Sequence, residues 1–214
     1  MTSRTSRQRP TLWIATRNRG KTREFQAMLG KSWKVGDLHA LPRMKEIRET
    51  GRTFQANAKI KALAVSLALP GRLVLADDSG LVVEALGGRP GVRSARFSGP
   101  RSNDERNRKK LLRLMQKMPK GRRHAYFQTT LVLARSGRFL GARTGRVWGR
   151  ITESEQGSGG FGYDPIFMPI GYAKTFGQLS GRTKDRISHR AKAVQGIKSL
   201  LSRYEHPLRM TKYI

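Results

Sequence analysis

The chain has 214 residues, with 44 Lys and Arg against 14 Asp and Glu, and therefore a formal net charge of +30 at pH 7. It has no cysteine, which excludes disulfide scaffolds, thiolate metal sites and cysteine nucleophiles. Its hydrophobic residues, 37% of the chain, occur in periodic blocks, so a folded core is expected, and the charge indicates an anionic partner. No apolar run is long enough for a membrane span, so a cytoplasmic protein without membrane contact is expected.

The first part of the chain is predicted to contain a tail, a strand and a helix. Residues 1–10 are polar and basic, which is typical of a disordered tail. Residues 12–16 form a short apolar run that predicts a strand. A helix that ends at Gly30 then follows from the helical spacing of three apolar residues, Phe25, Met28 and Leu29.

The middle of the chain contains a second helix followed by strands. Apolar residues at helical spacing predict a helix over residues 54–69. The apolar run at 73–76 predicts a buried strand that ends in the polar segment 77–80. Residues 81–85 then predict a strand that pairs with it.

The second half of the chain is predicted to contain two helices and a hairpin. Ser102 and Glu105 have the spacing of a capping box, so a helix is predicted from there to Met118. Strands and helices therefore interleave, and the hairpin makes the sheet mixed, so the predicted fold class is α/β. The two hairpin strands and the final helix are predicted over residues 126–134, 139–147 and 188–201.

The loop between the first strand and the first helix is a candidate anion site. Backbone N–H groups and the macrodipole at a helix N-terminus favour an anion, and Lys21 adds a full positive charge. The spacing differs from that of a P-loop, so an ordinary loop with a solvated lysine is the alternative interpretation. The loop residues are Thr16, Arg17, Asn18, Arg19 and Gly20.

Two adjacent carboxylates, Asp77 and Asp78, follow the apolar run at 73–76. Mg²⁺ binds proteins through one or two carboxylates together with substrate phosphates, so the pair is a candidate metal site. Asp-Asp-Ser-Gly is also good turn chemistry, so a structural turn that includes Ser79 is the alternative.

Two further segments carry candidate binding residues. Phe161 lies between glycines that allow a ligand to approach closely, so its ring could stack on a base, or could simply anchor a flexible loop. Near the last helix, Lys184, His189 and Arg190 could bind a phosphate or a carbonyl oxygen, or could be structural.

The densest positive stretch runs from Arg101 to Arg123 and contains ten basic residues against Asp104 and Glu105. Charge spread along a whole chain is more often a property of the surface than a binding site. Nucleic-acid binding through this stretch is the alternative.

Five segments occur in one order along the chain: ATRNRGK (15–21), ETGRTFQANAKIKA (49–62), ADDSGLVVEALGGRPGVRSAR (76–96), GGFGYDPIF (159–167) and KDRISHR (184–190). In this order they resemble the motifs of the inosine/xanthosine triphosphate pyrophosphatases, a family that hydrolyses non-canonical purine nucleotides. The resemblance covers residues 12 to about 201, and five segments in register are far more specific than any one of them.

The resemblance implies an elongated α/β fold in which a long mixed sheet, flanked by helices, spans two lobes with the active-site cleft between them. Residues 11–203 would then form a single domain, followed by a C-terminal tail at 204–214. The implied reaction converts ITP, dITP or XTP with water into the monophosphate and diphosphate, with Mg²⁺ as cofactor and a homodimer as the usual assembly. Nucleic acid is a possible partner but is not expected as a substrate.

The resemblance also implies roles for individual residues. Asp78 would activate the attacking water and hold Mg²⁺ with Glu49, and Asp77 is a further candidate ligand. Lys21 and Lys184 would neutralise phosphate charge, and His189 and Arg190 would donate hydrogen bonds to the 6-oxo oxygen of the base. The implied substrate-binding residues are Thr16, Arg17, Asn18, Arg19, Gly20, Lys21, Ser79, Phe161, Gly162, Tyr163, Asp164, Lys184, His189 and Arg190.

Three positions depart from the family pattern. Arg17 replaces a glycine, Ala56 replaces the glutamate of T-F-x-E-N-A, and Gln178 replaces a later glutamate. These departures leave open which carboxylate completes the metal site. Two other functions are therefore alternative hypotheses: a basic nucleic-acid-binding protein with weakened hydrolysis, and a nucleotide hydrolase that prefers another base.

Overall fold

The structure is a computed structural model that describes residues 9–101 and 103–204. Its centre is a mixed sheet of six strands in the order β2-β1-β3-β4-β5-β6, which confirms the predicted α/β class. β1 pairs in parallel with β2 and β3, and the other neighbours are antiparallel. The strands are β1 (Thr11–Ile14), β2 (Lys34–Asp37), β3 (Leu73–Val83), β4 (His124–Arg135), β5 (Arg138–Ile151) and β6 (Phe167–Pro169).

Five α-helices flank the sheet in the described part of the chain: α1 (Arg19–Leu29), α2 (Phe54–Ala68), α3 (Asp104–Met115), α4 (Gly181–Ile187) and α5 (His189–Ser202). The helices predicted from apolar spacing are confirmed, whereas α4 and the short strands β2 and β6 were not predicted. Among the described residues, no helix has the length and apolar character needed to cross a bilayer.

The predicted limits of α3 are wrong at its C-terminal end. The helix stops at Met115 instead of Met118, and its N-cap is Asn103, whose side chain accepts a hydrogen bond from the Arg106 N–H. The capping role predicted for Ser102 falls outside the described residues, as do residues 1–8 and 205–214 of the two predicted tails. Pro10 accepts a hydrogen bond from the Lys34 N–H and so joins the start of the sheet.

The predictions that a strand ends at residue 76 and that residues 81–85 form a second strand paired with it are wrong, because β3 continues through the acidic segment to Val83. β1 accompanies β3 only as far as Leu75, but β4 pairs with β3 along its whole length. Side chains alternate between the two faces of a strand, so Asp77 and Asp78 point to opposite sides of the sheet. Their mutual repulsion is therefore smaller than adjacent positions suggest, and no turn forms here.

One face of the sheet carries two hydrophobic clusters. The first packs Leu75 and Leu133 against α1 and α5, and the second packs Leu81 and Phe127 against α3 and the loop before β6. A belt of buried polar groups separates them, and it includes Asp77 on β3. This division agrees with the predicted two lobes and places the polar belt in the cleft between them.

The opposite face of the sheet is covered in one half by α2. Its alanines and Val65 pack on Val74, Val132 and Ala134 at the end of the sheet near the β4–β5 turn. The remaining half of this face, toward Tyr126 and Trp148, has no α-helix over it in the described ranges, and residues 87–93 line its edge.

Candidate active site

A cavity of about 120 Å³ opens in the polar belt between the two clusters. The start of α1, the middle of β3, the loop before β6 and the start of α5 all contribute to its wall. Segments far apart in the chain therefore meet here, as the predicted cleft requires. Its lining includes Asn18, Lys21, Ser79, Phe161, Gly162, Tyr163, Asp164, Lys184, His189 and Arg190.

Six charged side chains, four of which line this cavity, form what we call the inner network: Lys21, Glu24, Asp77, Asp164, Lys184 and Arg190. Asp77 Oδ2 accepts from Lys21 Nζ at 2.9 Å and from Arg190 Nε at 3.1 Å. Glu24 bridges the two other cations, with Oε2 2.8 Å from Arg190 Nη1 and Oε1 2.7 Å from Lys184 Nζ. Asp164 completes the network on the far side of Lys184.

Three carboxylates and three cations thus balance one another in a buried place. Burial opposes the charge of Asp77, but Lys21 and Arg190 outweigh it and hold the pKa of that carboxyl well below its usual value. For Asp164 burial is the stronger effect, and it raises the pKa despite the adjacent Lys184. The network therefore holds opposed charges in fixed positions beside the cavity. An incoming anion would meet its cations there.

His189 is the first residue of α5 and is only 3% exposed. Its ring stacks on Phe127 with the centroids 4.9 Å apart. Burial and the nearby Arg190 hold the pKa of His189 well below its usual value, so the imidazole is neutral at pH 7. Nδ1 is buried and has no hydrogen-bond partner among the described residues, and the His189 residue contributes to the wall of the cavity.

Phe161 covers the inner network from the other side. Its ring centre lies 4.5 Å from Lys184 Nζ and 5.3 Å from Arg190 Cζ. Asp164 holds the loop in place because its Oδ2 accepts from the Phe161 N–H at 2.9 Å. The ring also packs against Gly20, where a Cβ atom would lie 2.8 Å from Phe161 Cδ1. The Phe161 ring thus lies beside Lys184 and Arg190 and packs against the start of α1.

Asp78 lies on the opposite side of β3 and belongs to a second group of polar residues. Its Oδ2 accepts from Asn57 Nδ2 at 3.2 Å, and its Oδ1 lies 3.4 Å from Lys61 Nζ. The same Nζ lies 2.7 Å from Glu49 Oε1, so one ammonium group stands between the two carboxylates. We call Asp78 and Glu49 the outer carboxylate pair.

The positive charge near Asp78 does not offset the burial of its carboxylate. Burial, reinforced by the charge of Glu49, raises the pKa of Asp78 to about 6 even though Lys61 opposes the shift. No group of three or more His, Asp or Glu able to hold a metal occurs in the described part of the chain. Mg²⁺ often uses only one or two carboxylates together with substrate phosphates, so this pair fits the ion.

The loop residues around α1 divide into two sets. Asn18 caps α1 by accepting from the Lys21 N–H, and Thr16 Oγ1 accepts from the Asn18 N–H. Arg17 turns away: its guanidinium donates to the carbonyls of Leu38 and Met44 at 3.1 and 2.7 Å. Four residues that were predicted to bind substrate do not line the cavity: Thr16, Arg17, Arg19 and Gly20.

The remaining predicted residues surround the cavity and also hold its walls. The Tyr163 hydroxyl donates to the Ser94 carbonyl, and the Gly162 N–H donates to Asp104 at 2.7 Å. Ser79 Oγ accepts from Arg190 Nη2 at 2.8 Å. These contacts fix the shape of the cavity from three different elements.

The residues of the site that were not predicted include Glu24, Asn57, Lys61 and Thr129, whose hydroxyl donates to Asp77. Glu24 follows Lys21 by three residues, which places both on one face of α1. Asn57 and Lys61 lie in the quoted segment at 49–62, so the pattern contained them without showing what they contact. Thr129 had no sequence signal, because only strand pairing brings it to Asp77.

The chain is similar to known proteins over most of its length. The sequence model of the Ham1 family matches residues 12–200. A dITP/XTP pyrophosphatase of Bacillus licheniformis is 45% identical over 189 residues, 88% of this chain and 96% of the relative. Another of that name, from Streptococcus agalactiae, is 43% identical over 91% of this chain, and this chain spans 60% of its length.

Solved structures show the same fold. The Staphylococcus aureus Ham1 protein superposes with a TM-score of 0.79 at 36% identity. The match covers 91% of this chain and 99% of that protein. The residues of the inner network and of the outer carboxylate pair all lie within residues 12–200, the matched range.

Proposed function

The chain belongs to the Ham1 family, and from that premise we propose that it hydrolyses inosine and xanthosine triphosphates, in ribo or deoxyribo form, to the monophosphate and diphosphate. The observation that carries the proposal is His189, a buried neutral imidazole with an unpartnered Nδ1 beside a cavity of about 120 Å³. The 6-oxo oxygen of hypoxanthine or xanthine accepts a hydrogen bond from such a ring. The 6-amino group of adenine instead brings a donor, which would leave buried groups unpaired.

The inner network, together with Phe161, would bind the purine base of the substrate. Phe161 offers a ring for stacking, and Lys184 and Arg190 lie beneath that ring at fixed positions. The cavity is smaller than the roughly 300 Å³ of common ligand sites, so it would take the base, while ribose and phosphates extend past Lys21. The loop that carries Phe161 would have to move for the base to enter and leave.

The outer carboxylate pair would act on the phosphates. We propose that Asp78 and Glu49 hold Mg²⁺, which when bound supplies stabilisation of charge on phosphate oxygens. Asp78 Oδ1 would take a proton from the water that attacks the α-phosphorus, and the bond from that phosphorus to the bridging oxygen of diphosphate would break. Lys21 and Lys61 would stabilise the negative charge that develops on the phosphate oxygens.

Three further properties are proposals that rest on the resemblance described above. They are Mg²⁺ as the metal, a homodimer as the assembly, and the cytoplasm as the location. The homodimer is testable by sedimentation velocity, in which a species of about twice the 24.1 kDa chain mass is expected.

A kinetic screen tests the function. Purified protein with Mg²⁺ should release diphosphate from ITP, dITP or XTP far faster than from ATP or GTP. Equal turnover of ATP and ITP would contradict the assigned base specificity, and orthophosphate as the first product would contradict the assigned bond.

Replacement of the central carboxylate tests its role in the same assay. Asp78→Asn keeps the side-chain shape but removes the charge needed for a metal and for a proton acceptor, so kcat should fall by about a hundredfold or more. Glu105→Gln, on the exposed surface of α3, is the control and should keep full activity. Retention of more than roughly a tenth of the activity by Asp78→Asn would rule out this role.

A further inference from the structure

One half of the sheet's α2 face is open to solvent and has the composition of a binding surface. Where α2 ends, the exposed side of the sheet continues with Val82 of β3, Tyr126 and Gln128 of β4, and Arg146 and Trp148 of β5. Trp148 is 42% exposed, which is unusual for so large an apolar side chain. We call this area the open face.

A groove of about 1000 Å³ runs along the open face. Its lining contains no Asp or Glu in the described part of the chain, whereas five cations surround it. None of the five forms an ion pair with a described carboxylate, so their charge is not neutralised by the protein. The five are Arg52, Lys59, Arg89, Arg93 and Arg146.

Aromatic rings accompany these cations. Tyr126 and Trp148 pack with their ring centres 4.5 Å apart and an angle of 49° between the ring planes. Arg146 Cζ lies 5.2 Å from the Tyr126 ring centre, and its Nε donates to Gln128 Oε1 at 2.6 Å. The guanidinium thus lies over an aromatic ring beside an exposed indole, and nucleic-acid bases stack on exposed aromatic rings of this kind.

We propose that the open face binds single-stranded nucleic acid through backbone phosphates on the five cations and bases stacked on the exposed ring of Trp148, which packs against Tyr126. The groove has far more room than the cavity that takes the base of a substrate, so it fits several linked nucleotides. A second copy of the chain is the weaker candidate. Twofold pairing through this face would bring its unpaired arginines against their own copies.

The basic stretch at 101–123 is a poorer candidate for the same partner. Arg123 is buried and donates to the carbonyls of Met115, Ile151 and Thr152. Arg108 pairs with Glu155 and donates to the Gly162 carbonyl. Part of this charge therefore has a structural use, and α3 lies on the opposite side of the sheet from the open face.

Ala56, one of the three departures from the family pattern, affects the charge of the groove. It lines the groove at the position where the family pattern quoted above has glutamate. A carboxylate there would repel phosphates and partly neutralise the neighbouring Arg52 and Lys59. Its replacement by alanine leaves the groove purely cationic.

Fluorescence anisotropy with a labelled 12-nucleotide single strand, as RNA and as DNA, tests the proposal on the whole protein. The wild type should bind with a steep dependence on salt, since log K falls by about 0.7 per log unit of salt for each phosphate contact. Arg146→Gln should lower that slope by about one contact. Trp148→Ala should weaken binding by roughly fivefold to a hundredfold with little change of slope.

Matched controls separate the groove from the general charge. Arg113→Gln and Lys117→Gln remove exposed cations of the opposite side, and both should leave affinity within twofold. Ala56→Glu should weaken binding more than the neutral Ala56→Gln. Circular dichroism and thermal melting confirm folding, and the Arg146→Gln variant keeps the test decisive if Trp148→Ala does not fold.

Three results would overturn the proposal. Equal losses of affinity in the groove variants and the controls would show that binding depends only on net charge. Equal affinity for duplex DNA would show that bases do not stack on the open face. Conversion of a dimer to a monomer by Arg146→Gln, seen by sedimentation velocity, would make the open face an interface between two copies. Because binding is measured without turnover, failure of the proposed hydrolysis would not affect the outcome.

Discussion

Among single residues, Asp78 has the most unusual environment. It is 6% exposed, close to Glu49, and only partly compensated by Lys61, so burial raises its pKa to about 6. In the unfolded chain an aspartate titrates near 3.9. The unfolded state therefore releases this proton first as pH rises, so ionisation of Asp78 favours unfolding between about pH 4 and pH 6.

The first prediction concerns stability without metal. Asp78→Asn removes this ionisation, so its melting temperature relative to the wild type should rise from pH 4 to pH 7 and then stay constant. A shift of about two pKa units corresponds to roughly 3 kcal/mol, or several degrees in a protein of this size. Calorimetry of both proteins in EDTA measures it, and a flat difference over that range would be inconsistent with a raised pKa.

Proton and metal compete for the same carboxylate, which gives a second prediction. At limiting Mg²⁺, kcat/KM should decline below an apparent pKa near 6, because the free enzyme must lose the Asp78 proton. Saturating Mg²⁺ should move this acidic limb to lower pH. A limb that does not move with metal concentration would mean that another group controls it.

Arg17 stands where the family pattern has glycine, and it donates to the carbonyls of Leu38 and Met44. This orientation agrees with a side chain that turns outward and attracts anions without touching the reacting phosphate. Arg17→Gly should therefore keep kcat within a few-fold and lower kcat/KM mainly at low salt, since screening acts over about 10 Å at 0.1 M. Arg17→Lys keeps the charge and serves as the control. A hundredfold loss of kcat, about 2.7 kcal/mol, would instead place Arg17 on the transition state.

At the scale of elements, the contact between β5 and α5 positions the base side of the site. Gly145 of β5 lies against the backbone of α5, where a Cβ atom would come 2.6 Å from the Ala193 N and closer still to the His189 carbonyl oxygen. Backbone atoms cannot move aside as flexible side chains do. The absence of a side chain at Gly145 thus sets how closely α5, with His189 and Arg190 at its start, approaches the sheet.

Gly145→Ala should push α5 away from the sheet. We expect a loss of about 1–3 kcal/mol in stability, together with a lower kcat/KM because His189 and Arg190 move with the helix. Gly121→Ala is the matched control, since a Cβ there meets no atom within 4 Å. Denaturant unfolding and the diphosphate assay measure the two effects, and unchanged values for Gly145→Ala would show that this contact is adaptable.

At the scale of the whole molecule, the charge is distributed unevenly. The inner network is balanced, with three carboxylates against three cations, so the excess of +30 lies elsewhere. A surface of this sign attracts nucleoside triphosphates over distances comparable to the Debye length. Substrate capture should therefore depend on salt more strongly than the chemical step does.

Steady-state kinetics between 20 and 500 mM KCl test this. We expect kcat/KM for a triphosphate to fall by about tenfold or more, while kcat changes by less than about twofold. Equal effects on both parameters would indicate that salt acts on the site itself and not on the encounter.

Local patterns in the sequence determined much of the fold. The apolar spacing of α1, α2 and α5 and the hairpin of β4 and β5 follow from periods of 3.6 and 2, which a buried face imposes on any chain. The strands β2 and β6 were not predicted, because segments of four and three residues are too short to show a period. The five motif segments also identified most residues that line the cavity.

Tertiary structure alone decided what those residues contact. Asp77 and Asp78 look equivalent in sequence, but a continuous β3 sends one to Lys21 and Arg190 and the other to Asn57 and Lys61. Likewise, the open face exists only because α2 covers one half of the sheet and leaves Trp148 exposed. Such pairings join residues that are distant in the chain, and their energies depend on burial and on opposing charges. Burial and the placement of opposing charges arise only when the chain has folded, so a local sequence pattern does not determine them.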